Sequence, residues 1–115
     1  MIKVMVLLRR PATWTREQFH RWWLDEHVPY VTVLPGLRKY RVSLVTGSTS
    51  HPGQEPWDGV AELYFDDRAA LDAAWSSPLG QKALAHSQES HSARLSLIAD
   101  EHDLSAKLRT GDRSS

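Results

Sequence analysis

Three side chains of this 115-residue chain are of the type that moves a proton next to a carbonyl: His27, Tyr40 and His51. His27 lies in "EQFHRWWLDEHVPY", and an imidazole with an ordinary pKa near ~6.5 accepts or gives a proton close to neutral pH. Its structural alternative is to cap the carbonyls that Pro29 frees in the same helix. Tyr40, in "LRKYRVSLV", offers a hydroxyl that can polarise a carbonyl oxygen, or else packs as a core tyrosine bonded to backbone. His51, in the loop "GSTSHPGQEPW", would close over a pocket mouth as a second acid-base group, or simply be solvated. Trp23, Tyr30, Leu63 and Trp75 are the candidate lining of a pocket for a flat ligand, with core packing as the alternative.

Composition removes several other chemistries. There is no cysteine, hence no disulfide framework, thiolate metal site or cysteine nucleophile. Fourteen basic residues balance fourteen acidic ones with no long run of either sign, so nucleic acid is not an expected partner. No metal is expected: His20 and His27 are about 10.5 Å apart along a helix, no two histidines are spaced i, i+4, and His86 and His91 point apart. The N-terminus "MIKVMVLLRRP" reads neither as a signal peptide nor as a membrane span, which makes a cytoplasmic location and no membrane contact the expectation.

The elements that must position these groups follow from periodicity. Residues 2 to 8 form a short apolar run that reads as a buried strand. Thr15 and Gln18 make a capping box, and a helix is expected from Arg16 to about Leu34, kinked just after His27. On a wheel of 100° per residue, Phe19, Trp22, Trp23, Tyr30, Val33 and Leu34 share its apolar face, with Glu26 near that face and His27 at its edge. "PGL" at 35 to 37 ends the helix. A period-two strand then turns Tyr40, Val42 and Leu44 one way and Lys39, Arg41 and Ser43 the other. A loop over 47 to 57, a third strand in "DGVAELYF", two helical stretches and a last strand in "ARLSLIADEH" complete the chain, with a flexible tail over 105–115.

The order βαββαβ predicts an α+β, ferredoxin-like unit: an antiparallel four-stranded sheet with helices on one face. The other face would carry Lys39, Arg41, Val60, Glu62 and Tyr64. A mixed charged and apolar open face with acids and bases available to pair predicts a homodimer packed sheet to sheet.

The set "LLRRP", "EQFHRWWLDEHVPY", "LPGLRKY" and a terminal "DEH" resembles the EthD family of dimeric α/β-barrel proteins over residues 1–104. The first half is also similar to the methylmuconolactone methylisomerases of that superfamily, cofactor-free enzymes acting on lactones from aromatic catabolism. The resemblance implies a pocket between sheet and helices, with His27, Tyr40 and His51 at the positions of the isomerases' histidine, tyrosine and loop histidine. Their strand-three cysteine falls at Leu63, a departure. Together these imply a cofactor-free, isomerase- or lyase-type enzyme acting on a lactone or aromatic-derived acid, with xenobiotic or aromatic catabolism as its setting. Two alternatives stand beside it: a non-catalytic binding or accessory protein of an ether-degrading oxygenase system, and a cofactor-independent quinone or anthrone monooxygenase. Many such oxygenases use a pocket asparagine, which this sequence lacks.

Overall fold

The computed structural model describes residues 1–109; the last part of the expected tail, 110–115, lies outside them. Four strands, β1 (Ile2–Arg9), β2 (Lys39–Leu44), β3 (Gly59–Phe65) and β4 (Ala93–Ala99), form one sheet in the order β2-β3-β1-β4. Every neighbouring pair is antiparallel. The helices α1 (Arg16–Arg21), α2 (Val28–Val31), α3 (Arg68–Ser76) and α4 (Pro78–Gln88) cover one face, which makes this an α+β ferredoxin-like fold. A 3-10 turn, Ser105–Lys107, follows the last strand.

Alternation decides which side chains reach the core. Val4, Val6 and Leu8 of β1, Ala61, Leu63 and Phe65 of β3, and Tyr40, Val42 and Leu44 of β2 face the helices and pack with Phe19, Trp22 and Trp23. The opposite face holds Lys3, which bonds Glu62 at 2.5 Å and Glu101 at 2.8 Å, while the Tyr64 hydroxyl donates to Glu101 at 2.6 Å. The residues just after β4 are thereby tied to the open face of the sheet.

Helix starts are chemically marked. Thr15 and Gln18 exchange the two bonds of a capping box at α1, Asp67 caps α3, and Ser77 caps α4 ahead of Pro78. A Cβ on Gly80 would collide with the Ala74 carbonyl and the Trp75 backbone, so a glycine at this point lets α4 turn back directly against the end of α3. Gly36, at φ 77°, makes the left-handed turn out of the first helical segment.

The first helical segment departs from the expected single helix. It is α-helical over Arg16–Arg21, π-helical over Trp22–His27, and α-helical again only over Val28–Val31. An i→i+5 ladder winds through less than 100° per residue, so everything after Trp22 lags behind the ideal wheel. Val31 turns inward and His27 becomes buried, whereas Tyr30 and Val33, expected on the apolar face, are exposed. Glu26 is likewise exposed instead of lying beside the core. The disturbance expected after His27 is thus taken up ahead of Pro29, which stands at the start of a new α-helical turn.

Candidate active site

Between the sheet and the helices lies a cavity of about 380 Å³ of atom-free space, counted out to its open mouth. Its floor is sheet: Val6 and Leu8 of β1, Tyr40 of β2, Ala61 and Leu63 of β3, Arg94 of β4. Trp23, His27 and Val31 close one side, and Trp75, Ala83, Leu84 and Ser87 the other.

His27 enters from the end of the π-helical stretch and is 7% exposed. Its Nδ1 lies 2.9 Å from Nδ1 of His86 on α4, with the two rings within 7° of parallel. Between two such nitrogens one carries the hydrogen and the other accepts it, so in the neutral pair one ring is the Nδ1–H tautomer and the other the Nε2–H tautomer. Trp22 stacks on both rings, at 5.0 Å from His27 and 5.3 Å from His86, and Tyr30 covers His86 from outside at 4.1 Å. The imidazole planes are therefore fixed by aromatic packing. Burial, reinforced by His86, Arg94 and His91, pushes His27 down to about 4, which leaves it neutral near pH 7.

Tyr40 and Trp23 supply the remaining polar atoms of this apolar chamber. The Tyr40 hydroxyl and the Trp23 indole N–H are buried, and neither has a hydrogen-bond partner in the protein. Burial raises the Tyr40 hydroxyl to about 12, and the Trp23 indole N–H, near its oxygen but outside hydrogen-bond geometry, acts in the opposite direction, so the hydroxyl stays protonated and able to donate. Trp23 packs close against the start of β3 because position 59 is glycine: a Cβ there would run into the six-membered ring of the indole. Arg94 stands opposite Leu8 in the β1–β4 register, and burial lowers its guanidinium below the usual arginine range.

Of the seven site residues expected from sequence, Trp23, His27, Tyr40, Leu63 and Trp75 line this one chamber. Tyr30 does not, because the π-helical stretch rotates it outward onto His86. Nor does His51, which is exposed on a loop held elsewhere. That loop is pinned to the start of α1 and the end of β1: Arg16 pairs with Glu55 and donates to the Thr46 carbonyl, Arg9 bonds the Pro56 carbonyl, and Arg10 pairs with Asp58 at 2.8 Å. Two residues that sequence reasoning did not select, His86 and Arg94, belong to the site. His86 shares the inward side of α4 with Ala83 and Ser87, a spacing of three and four. Arg94 follows from strand parity only once β4 is paired with β1. Among the described residues, no group of three or more His, Asp or Glu is placed to hold a metal ion. No helix among them is long and apolar enough to cross a membrane.

Comparison with known proteins agrees with this architecture. An uncharacterised 11.0 kDa protein of Rhodococcus erythropolis, from the thcB-thcC intergenic region, is 27% identical over 85 residues, covering 74% of this chain and 79% of its own. The crystal structure of an EthD family protein from Bacillus halodurans superposes with a TM-score of 0.77 at 23% identity, covering 89% of this chain and 99% of that one. A dimeric ferredoxin-like protein of unknown function from Thermobifida fusca superposes with a TM-score of 0.66 at 19% identity, covering 85% and 88%. These two likenesses establish the fold. The EthD domain model matches residues 11–101, most of the sequence, and the chain therefore belongs to the EthD family.

Proposed function

We propose that this protein is a cofactor-free enzyme of aromatic or xenobiotic catabolism that shifts a proton next to a carbonyl in a small lactone or aromatic-derived acid. The observation that carries the reading is a buried chamber in which two polar groups, the Tyr40 hydroxyl and the Trp23 N–H, lack protein partners beside a neutral imidazole. A substrate carbonyl oxygen supplies the missing acceptor. When the adjacent carbon loses its proton, negative charge builds on that oxygen, where donors already in place stabilise it without reorganising. His27 takes the proton on Nε2 while its Nδ1–H is held by Nδ1 of His86, and returning the proton to another carbon gives the isomer with no net change in the protein.

Proton NMR in heavy water with a panel of muconolactones and related acids tests the proposal. Deuterium should enter the position next to the carbonyl with wild-type protein and far more slowly with His27→Ala. A binding or accessory protein is the competing function, favoured by one observation: an imidazole held down at about 4 is a weak base near pH 7. Saturable binding across the panel without any exchange would establish that role instead.

The functional unit in this reading is a homodimer. Among the described residues no α-helix covers the Lys3, Glu62 and Tyr64 face, and the adjoining strand exposes Leu95 and Leu97, which supports a second sheet packing there. Light scattering should return the mass of two chains; one chain's mass would remove this element of the proposal.

A further inference from the structure

Arg94 is a guanidinium facing the cavity with nothing in the protein to pair with. It forms no hydrogen bond or ion pair with any described residue, and the cavity lining contains no Asp or Glu. The half-buried cations among the described residues are matched instead: Lys3 with Glu62 and Glu101, Arg10 with Asp58, Arg16 with Glu55. Arg94 is exposed to solvent as a residue while its side chain borders the cavity, so water solvates the charge in the free protein and no carboxylate of the lining competes for it. The cavity lining therefore offers a cation and no negative charge of its own.

We infer that Arg94 anchors a carboxylate on the molecule that occupies the cavity, making the ligand a small monoanionic acid that also carries the carbonyl addressed by Tyr40 and Trp23. The inference rests on the preceding reading of the cavity as a ligand site, and goes beyond it by assigning the ligand's charge and the residue that selects it. A planar guanidinium holds a carboxylate through two parallel N–H bonds, which fixes orientation as well as charge. The arrangement has a consequence for His27. The groups that bear on it are His86 from α4, His91 just beyond that helix, and Arg94 from β4, with Trp22 and Tyr40 as uncharged neighbours. A carboxylate on Arg94 cancels one of the repelling charges and brings a negative one close, so the correct ligand makes its own base stronger. Neutral analogues would leave it weak.

Benzoate and muconolactone, each paired with its methyl ester, are the probes. Binding is followed by titration calorimetry, and the His27 ring signals are followed by NMR across pH 3.5–7.5, in wild-type protein and in Arg94→Gln. The acids should bind at least about tenfold more tightly than their esters and move the His27 midpoint upward, and R94Q should abolish both effects. Equal binding of acid and ester, with the ring signals of His27 and Trp23 still responding, would overturn the role of Arg94 while leaving the cavity as a ligand site. The same holds for an acid preference that survives R94Q. If none of the four compounds perturbs His27 or Trp23, both readings fall together. The acid-ester comparison in wild-type protein stands even if the variant does not fold.

Discussion

His27 and His86 meet through their Nδ1 atoms at 2.9 Å, one from the end of a π-helical stretch and the other from α4, with Trp22 stacked against both rings. The contact fixes the tautomer relation of the pair: a hydrogen on one Nδ1 requires a lone pair on the other. It also leaves Nε2 of His27 as the nitrogen free for chemistry in the cavity, and it couples a buried ring to a half-buried one near the surface.

Stability should depend on pH through His27. Its folded pKa lies near 4, below the ordinary value of about 6.5 that it regains on unfolding, so the unfolded chain binds the extra proton more readily. The contribution is fully present above about pH 6.5, falls as pH drops toward 4, and is exhausted below that. Its full size is on the order of 3 kcal/mol. Urea denaturation of wild-type protein and His27→Phe at pH 7 and pH 4.5 should show a smaller pH difference in the variant; equal differences would place the titration elsewhere.

Replacing Tyr40 by Phe separates structure from function. The hydroxyl is buried without a partner, so its removal takes away an unsatisfied group and should leave stability unchanged or raise it by up to about 1 kcal/mol. Turnover of a substrate that uses this donor should fall by roughly 10²-fold. A variant destabilised by more than about 1 kcal/mol with turnover intact would make Tyr40 a packing residue.

Gly59→Ala should cost about 1–3 kcal/mol, because the new methyl meets the six-membered ring of Trp23, which is itself fully packed. Trp23 would have to leave its place over β3, and intrinsic fluorescence should shift with the loss of stability in urea. An unchanged spectrum and midpoint would mean that the backbone of β3 gives way instead.

The fold was largely legible because its signals are local: a capping box at Thr15, Pro78 opening α4, and strict alternation in β2 and β3. Alternation also placed Tyr40 and Leu63 on the helix side. What local signals could not convey was the pitch of the first helical segment. A 100° wheel carries past Trp22 as if nothing happened, so it kept Tyr30 and Val33 inward and left His27 at an edge, whereas the π-helical ladder exchanges them for Val31 and a buried His27. His51 stayed out of reach for another reason: its loop's position depends on ion pairs with Arg16 and Arg10 that span 39 and 48 residues. Arg94 is concealed by composition. In "ARLSLIA" the leucines look like the inward set, but pairing with β1 sends Leu95 and Leu97 to the open face and Arg94 toward the cavity.

The central claim is that His27 takes the proton, and the most direct measurement is the turnover and binding of His27→Gln against wild type on whichever acid shows exchange in heavy water. Glutamine keeps a hydrogen-bonding side chain but cannot accept a proton at working pH. A loss of about 10² to 10⁴-fold in turnover with ligand affinity within a few-fold of wild type is the result expected of a general base. Turnover reduced by less than about tenfold would contradict it, and would leave His27 as the residue that shapes the cavity wall.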